Sequence, residues 1–187
     1  MNISNCILTD RLIIRPFVEG DEEDVLDIMK DEYTARWIGL KPFSKLEEAQ
    51  RFIRNWRHDG FAVTERESDT VIGVIQVPKN YWKSNAFIGY WLGEAYRGKG
   101  YMTEAVQAVK EHVFNTTWLD EIELYVYCGN EASRNVAIKC GFFPDFGAYK
   151  ENTYSHFGRV ESEERFTVTR SDFEWEQRNS STFSSAA

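Results

Sequence analysis

The chain has 187 residues and a formal net charge of −8 at pH 7, and 42% of its residues are hydrophobic. This length suits one domain with a substantial core, which we place at residues 1–178. The acidic balance argues against direct nucleic-acid binding, which needs a basic face, and no apolar run approaches the ~20 residues of a membrane span. We therefore expect a cytoplasmic protein without a membrane partner.

The three cysteines give no sign of metal chemistry. Cys6, Cys128 and Cys140 lie far apart in the chain and lack the paired spacing of a metal site. A reducing compartment keeps such thiols free, so we assign them no chemistry and expect no metal.

The N-terminal third of the chain predicts one strand and two helices. An apolar run over residues 6–17 predicts the strand. Acidic residues from Asp21 to Asp24, followed by an apolar face, predict the first helix. Ser44 and Glu47 have the spacing of a capping box, which predicts the start of the second helix. The segment 33–40 between these helices is aromatic but has neither helical nor strand periodicity.

The middle of the chain predicts a meander and then a crossover. Apolar runs at 61–65 and 71–77 flank a polar turn and predict a hairpin, which leads to an aromatic strand at 86–92. Apolar residues then recur at helical spacing from Gly100 to about Asn115, and Glu121–Tyr127 alternates polar and apolar residues as a strand does. Strand, helix and strand in this order imply that the two strands run parallel.

The C-terminal part predicts two helices around the end of the sheet. Residues 130–140 predict a helix, Phe142 resumes the sheet, and residues 164–170 predict the last strand. A short helix follows at 171–177, and the low-complexity residues 179–187 predict a disordered tail. The whole pattern predicts a fold of the α/β (α+β) class.

A basic, glycine-punctuated turn, Arg97-Gly-Lys-Gly-Tyr-Met102, connects the aromatic strand to the next helix. The first amides of that helix have no partner within it, and Gly98 and Gly100 lack the Cβ atoms that would keep an anion away. The glycine spacing is that of neither a P-loop nor a dinucleotide fingerprint. The turn therefore predicts a pyrophosphate site of another kind, with a plain turn carrying two solvated cations, Arg97 and Lys99, as the alternative.

Two motifs carry a resemblance to a known family. The turn resembles the Arg-x-x-Gly-x-Gly/Ala turn of the GNAT acyl-CoA N-acyltransferases, with Met102 in place of the final small residue. Asn130-Glu-Ala-Ser-Arg-Asn-Val-Ala-Ile-Lys-Cys-Gly-Phe142 resembles the Asn-x-x-Ser and Gly-Phe arrangement of the RimJ/RimL-type acetyltransferases. Residues 8–17 and 167–175 also look like that subfamily, so the resemblance covers nearly the whole ordered chain.

The resemblance implies a GNAT fold, with a central mixed, mostly antiparallel sheet of about seven strands, splayed at the cofactor cleft and flanked by about four to five helices. It implies that acetyl-CoA, the cosubstrate, lies between the strands that end at Leu92 and Tyr127. The Leu92 N–H would polarise the thioester carbonyl, and Asn130 would bind the pantetheine arm, cap its helix, or do both. The implied cofactor-binding residues are Tyr90, Trp91, Leu92, Gly93, Arg97, Gly98, Lys99, Gly100, Tyr101, Met102 and Asn130.

For the proton transfers, the resemblance points to Ser133 and Glu151. Many GNAT enzymes carry a tyrosine acid four residues before the Gly of Gly-Phe, and here that position is Ala137. Ser133 is the subfamily's alternative donor to the departing thiolate, directly or through water. Glu151 lies near the place of a carboxylate base, and a water chain is the alternative base. Glu104 is explained by the helix dipole.

The resemblance implies an N-acetyltransferase for a primary amine, either a protein N-terminal α-amine of the ribosomal-protein type or a small-molecule amine. Tyr33 and Trp37 are candidates to bind this acceptor, as are residues 146–158, and the alternative is that Trp37 plugs the core. A non-catalytic acyl-CoA-binding or sensing module is the competing function, and Ala137 is consistent with it. For the oligomeric state, we expect a monomer or a homodimer.

Overall fold

The computed structural model describes residues 6–56, 58–77, 85–152 and 161–184, with side chains except at 147–152, 161 and 180–184. The strands in these ranges are β1 (Ile7–Leu8), β2 (Leu12–Pro16), β3 (Gly60–Glu65), β4 (Val71–Gln76), β5 (Asn85–Phe87), β6 (Gly89–Leu92), β7 (Glu121–Tyr127), β8 (Phe143–Asn152) and β9 (Glu161–Thr169). The helices are α1 (Asp21–Met29), α2 (Glu32–Trp37), α3 (Leu46–Trp56), α4 (Tyr101–Thr116), α5 (Glu131–Lys139) and α6 (Arg170–Ser184). None of these helices is long and apolar enough to cross a membrane.

The strands form two sheets that part in the middle of the molecule. One sheet has five strands in the order β1-β2-β3-β4-β6 and is antiparallel throughout. The other has four strands in the order β5-β7-β9-β8, with β5 parallel to β7 and the remaining pairs antiparallel. The predicted mixed, mostly antiparallel, splayed arrangement and the parallel crossover through α4 are confirmed.

Two predicted strands are each broken into a pair, which accounts for the additional strands in the described ranges. The first folds back on itself where the Thr9 N–H donates to the Leu12 carbonyl at 3.0 Å. The aromatic strand is interrupted at Ile88, whose N–H donates to the Glu123 carbonyl at 2.8 Å. The part before Ile88 joins β7 and the part after it joins β4. Apolar residues continue through both parts, so the sequence pattern hides the break that opens the sheet.

The helix α2 lies in the segment that shows no periodicity in the sequence. Its N-cap is Asp31, whose carboxylate accepts hydrogen bonds from the backbone N–H groups of Tyr33 and Thr34. A helix of fewer than two turns is too short to display a periodic apolar face, so its pattern could not reveal it.

The start of α3 differs from the predicted capping box by one residue. The Ser44 N–H donates to the Glu48 carboxylate at 2.7 Å, so Glu48 and not Glu47 is the capping partner. The helix begins at Leu46, which places Glu48 at its third position, where a side chain can reach back to the cap.

The terminal helix α6 is longer than the predicted 171–177. Fully buried Lys110 of α4 anchors it, because Nζ donates to Glu176 at 2.9 Å and to the Cys140 carbonyl at 2.8 Å. Once a helix is started, each further residue adds one backbone hydrogen bond without the cost of a new nucleus. Residues 179–184 of the predicted tail are therefore helical, and residues 185–187 lie outside the described residues.

The sheets present two different faces to the helices. On the face covered by α4, Leu124 of β7 lies in a buried cluster, and Tyr90 and Leu92 of β6 pack against it. On the face covered by α3, Trp91 of β6 packs with Phe52. Successive side chains of a strand point to opposite faces, so β6 contributes to both. We call these the α4 face and the α3 face.

Candidate active site

The predicted phosphate turn lies between β6 and α4. Gly98 and Gly100 have φ angles of 75° and 81°, in the left-handed region that favours glycine. A Cβ at Gly98 would meet no atom within 4 Å, so the backbone conformation, and not packing within the chain, requires glycine there. A side chain in this region costs roughly 1–2 kcal/mol.

The first turn of α4 directs backbone donors out of the helix at this turn. The first helical bond joins the Glu104 N–H to the Gly100 carbonyl at 3.1 Å, so the N–H groups of residues 101–103 have no acceptor within the helix. The Met102 side chain is 5% exposed and packs into the core below. Replacement of the small residue of the family motif by Met102 therefore leaves the mouth of the turn open.

Arg11 holds the glycine turn in place, and sequence reasoning missed it. Its Nη1 donates to the Lys99 carbonyl at 2.9 Å, and its Nε donates to Glu104 at 2.6 Å. Burial opposes ionisation of Glu104, but hydrogen bonds from Thr9 and Arg11 outweigh it and lower the pKa of this carboxyl. Glu104 thus ties the β1–β2 hairpin to α4, a role that the helix dipole alone did not suggest. No local pattern links residues so distant in sequence.

The Arg97 side chain turns toward α2. Its guanidinium donates to Asp31 and to the Thr34 hydroxyl, and lies 4.7 Å from the centre of the Tyr33 ring. Burial opposes ionisation of Asp31, yet the bonds from Thr34 and Arg97 lower its pKa to about 2. The first residue of the phosphate turn is therefore bound to the N-terminus of α2, and a contact of Arg97 with cofactor stays a prediction.

The gap between β6 and β7 exposes backbone groups of β6. The Gly93 N–H donates to the Ile72 carbonyl at 2.9 Å, and hydrogen-bonded pairs alternate with non-bonded pairs along an antiparallel ladder. Leu92, opposite Gly73, is therefore in a non-bonded pair, and so is Tyr90. Their N–H and C=O groups point away from β4, toward β7. Among the described residues β6 is the edge strand of its sheet, so these groups face the gap.

A cavity of about 480 Å³ lies at this gap and is lined by residues from both faces of the sheet. The predicted site residues that line it are Tyr33, Trp37, Tyr90, Trp91, Leu92, Arg97, Gly98, Gly100, Tyr101, Met102, Asn130 and Ser133. Two predicted cofactor residues are absent from the described lining. Gly93 is held in the sheet by its bond to Ile72, and the Lys99 ammonium lies 5.5 Å from the centre of the Tyr96 ring.

Ser133 and Tyr90 form a hydrogen-bonded pair on the α4 face of the gap. The Tyr90 hydroxyl lies 3.0 Å from Ser133 Oγ and 3.1 Å from the Ser133 carbonyl. Burial raises the pKa of Tyr90, and the hydrogen bond with Ser133 offsets only part of that effect, so the phenol is protonated at neutral pH. Ala137, in the position where the resemblance led us to look for a tyrosine acid, is fully buried. The phenol beside α5 is therefore supplied by Tyr90 of β6, because α5 itself contains no tyrosine.

Asn130 caps the helix that carries Ser133. Its Oδ1 accepts the Ser133 N–H at 3.1 Å, which is the N-cap arrangement that the sequence offered as one of two roles. The residue also lines the cavity, and its contact with pantetheine stays a prediction.

The α3 face of the cavity is rich in aromatic side chains that the sequence did not single out. Ile122, Leu124 and Val126 of β7 are buried against α4, so Tyr125 and Tyr127 point to the α3 face. The Tyr127 ring lies 6.5 Å from that of Trp37, and the Tyr125 ring lies 5.7 Å from that of Phe87. The alternation of polar and apolar residues in β7 was the signal that could have found them. The further lining residues on this face include Trp56, Phe87, Tyr125, Tyr127 and Glu163.

The predicted base lies in β8. Glu151 is paired with Ser162 of β9, and its side chain lies outside the described part of the structure, so its role stays a prediction. Of the second predicted acceptor segment, residues 146–152 belong to β8, and residues 153–158 lie outside the described ranges.

A family model described as an acetyltransferase (GNAT) domain matches residues 11–143 of the chain. The matched range runs from the β1–β2 hairpin through the glycine turn to the start of β8, and so contains the cavity walls described above except Glu163. The chain therefore belongs to the GNAT acetyltransferase family, as its two motifs predict.

Individual proteins agree with this assignment. YnaD of Bacillus subtilis, an uncharacterized N-acetyltransferase, is 31% identical over 138 residues, covering 72% of this chain and 81% of that protein. The ribosomal-protein-serine acetyltransferase of Escherichia coli is 32% identical over 77 residues, covering 41% of this chain and 43% of that protein. This similarity agrees with the resemblance to the RimJ/RimL-type subfamily. The crystal structure of a GNAT-family acetyltransferase from Bacillus anthracis has a TM-score of 0.81 at 24% identity, covering 89% of this chain and 99% of that one, which confirms the fold.

Proposed function

We propose that this protein transfers the acetyl group of acetyl-CoA to a primary amine, either a protein N-terminal α-amine or a small-molecule amine. The observation that carries the proposal is the cavity at the gap between β6 and β7. It meets the glycine turn on the α4 face and aromatic side chains on the α3 face. Two substrates that enter from opposite faces can meet at one point, which direct transfer between them requires.

The backbone around the gap suits a nucleotide thioester. The N–H groups of residues 101–103 at the start of α4 are donors for a pyrophosphate. The outward N–H and C=O groups of Tyr90 and Leu92 match the amides of an extended pantetheine arm. When bound, acetyl-CoA supplies an activated acetyl group, and the chain supplies position, hydrogen bonds and a proton donor.

Three groups of the chain can then serve the reaction. The Leu92 N–H stabilises the charge that develops on the acetyl oxygen as the amine attacks the acetyl carbon. A C–N bond forms and the C–S bond breaks, with its electron pair left on sulfur. Ser133, hydrogen-bonded to Tyr90, donates a proton toward that sulfur, and Glu151 or water accepts the proton lost by the amine.

An acceptor screen tests this function. The protein is mixed with acetyl-CoA and a panel of amines and N-terminal peptides, and free thiol is measured together with the mass of the acetylated product. We expect thiol and acetylated amine in equal amounts with at least one acceptor. Tight CoA binding without thiol release for any acceptor would favour the competing function, a non-catalytic acyl-CoA sensor, for which buried Ala137 is the specific observation.

A further inference from the structure

The α3 side of the cavity is a box of aromatic rings. Trp37 of α2 packs against Tyr127 with 6.5 Å between ring centres, and Tyr125 packs against Phe87 with 5.7 Å. Trp56 of α3 closes the same side. These rings come from different elements and are fixed against each other before any acceptor enters. Such a surface favours a flat or bulky apolar group, because burial of an aromatic group of that size is strongly favourable.

The same face carries an excess of negative charge beside the rings. Arg165, the cross-strand partner of Tyr125, is shared between carboxylates, with 2.7 Å to Glu123 and 2.6 Å to Asp145. The Tyr125 hydroxyl also donates to Glu123 at 2.9 Å. Glu163 adds another carboxylate in the lining itself. Of the described cations of the lining, Lys139 is on α5, and the Arg97 guanidinium lies beside α2, where it is paired with Asp31. Arg36 of α2 lies 5.0 Å from the centre of the Trp37 ring, outside the described lining.

A protonated amine is attracted to such a place for two reasons. The faces of aromatic rings attract cations, and the carboxylates around Arg165 leave the surrounding potential negative. Burial and the bond to Glu123 raise the pKa of Tyr125, so its hydroxyl stays neutral beside the incoming amine.

We propose that the acceptor is a primary amine whose carbon chain carries one aromatic or large aliphatic group, with that group in the aromatic box. The proposal rests on the proposed acetyl transfer and specifies its substrate class. A polyamine is the poorer fit, because its further ammonium groups would have to lose water among the rings without burying an apolar group there. A free arylalkylamine and a peptide with an apolar first residue share the required chemistry.

A matched panel of acceptors tests the class in the unmodified protein. The panel contains ethylamine, phenethylamine and spermidine, and two peptides that differ only in an N-terminal Phe or Ser. We expect kcat/KM for phenethylamine to exceed that for ethylamine by about ten- to a hundredfold, the range set by burial of a phenyl group, and to exceed that for spermidine. A higher value for the Phe peptide than for phenethylamine would identify a protein N-terminus as the source. Equal values for ethylamine and phenethylamine, or the highest value for spermidine, would overturn the proposal.

Variants of one position separate the ring from its hydroxyl. Tyr125→Phe keeps the ring and should keep the preference for phenethylamine over ethylamine, whereas Tyr125→Leu should reduce that preference at least fivefold. Trp118→Leu is the control, because Trp118 is 96% exposed and lies outside the cavity lining. An unchanged preference in Tyr125→Leu, in protein with an unchanged melting temperature, would remove Tyr125 from the acceptor site and contradict the proposal.

A binding measurement keeps the acceptor class distinct from the transfer reaction. Calorimetry of phenethylamine and spermidine against the protein saturated with CoA requires no turnover. Preferential binding of phenethylamine without thiol release from acetyl-CoA would support the acceptor class and contradict acetyl transfer. Thiol release without any preference for the apolar amine would support acetyl transfer and contradict the acceptor class.

Discussion

The two sides of the cavity are built in different ways. On the α4 side, the groups proposed to bind the cofactor are largely backbone groups of one continuous stretch, which includes β6, the glycine turn and the first turn of α4, and α5 adds side chains such as Ser133. The α3 side consists of side chains from elements far apart in sequence, from Trp37 in α2 to Glu163 in β9. In the proposed function these backbone donors bind the cofactor, and most exchanges of side chain would leave them in place. Side chains can be exchanged one at a time, so the acceptor can change while the cofactor side stays the same.

A contact of Arg97 joins the two sides. Arg97 begins the phosphate turn and binds Asp31 and Thr34 at the N-terminus of α2, the helix that carries Trp37. The two sides are therefore not fully independent. Substitutions on each side, with cofactor and acceptor measured separately, show how far they are coupled.

The largest effect is expected on the cofactor side. Gly98→Val should abolish CoA binding, because a branched side chain occupies the phosphate site and disfavours φ of 75°. Gly20→Val is the matched control, since Gly20 also has a positive φ, of 102°, and open space for a Cβ, but does not line the cavity. Calorimetry with CoA and with phosphate-free pantetheine measures the loss. An equal loss for both ligands would show that the turn does not bind phosphate.

A smaller but still large effect is expected at the gap itself. Ser133→Ala should lower kcat at least tenfold, within the roughly 10²–10⁴-fold range of acid catalysis if its hydroxyl is the sole donor, with CoA affinity nearly unchanged. Tyr90→Phe should lower kcat less, and the double variant should be little worse than Ser133→Ala, because both act through one hydrogen-bonded pair. Single-turnover transfer at saturating acetyl-CoA is the measurement. An unchanged rate in Ser133→Ala would leave solvent as the proton donor.

On the acceptor side, Trp37→Ala should raise the KM for the acceptor by about tenfold and leave the KM for acetyl-CoA within twofold, because the indole contributes apolar area to the α3 side. Steady-state kinetics with each substrate varied in turn gives both constants. Should the change mainly lower the melting temperature and leave both KM values alone, Trp37 would be a core residue and not part of the acceptor site.

A modest effect is expected where the two sides are joined. Asp31→Asn should raise the KM for the acceptor by about two- to fivefold, the effect of one partly exposed ion pair. Arg97→Lys keeps the positive charge but loses the forked geometry of the guanidinium. Its KM for the acceptor should therefore lie between that of the wild type and that of Asp31→Asn. No change in either variant would mean that α2 is positioned without this contact, and that the two sides are fully independent.

The smallest effect concerns pH. The pKa of Asp31 is lowered from 3.8 to about 2 in the folded protein. A carboxyl group whose pKa is lowered by folding adds stability to the folded state. This stability is fully present above the pKa of the group in the unfolded chain and is lost as the pH falls through its pKa in the folded protein. Asp31→Asn should therefore lose less stability than wild type between pH 4 and pH 2, which thermal unfolding at a series of pH values can measure. An identical decline in both proteins would contradict the assigned ion pair.

The difference between the two sides also explains what the sequence could predict. The glycine turn, the helix after it and the Asn130 cap are local patterns, because the groups they place are backbone groups of the same stretch. The break at Ile88 and the clamp of Arg11 on Glu104 depend on pairing between distant segments, and no local pattern records them. The aromatic box is a product of strand direction and helix placement. Tyr33 and Trp37 were found by composition alone, and Tyr125 and Tyr127 looked like ordinary strand residues.

The central claim is that cofactor and acceptor enter the gap between β6 and β7 from opposite faces. The most direct test is a crystal structure of the protein with CoA and phenethylamine bound together. The account predicts the pyrophosphate at the N–H groups of residues 101–103, the CoA sulfur at the gap near Leu92 and Ser133, and the phenyl group between Trp37 and Tyr125. An amine bound on the α4 face, or a pantetheine arm that runs outside the gap, would contradict it.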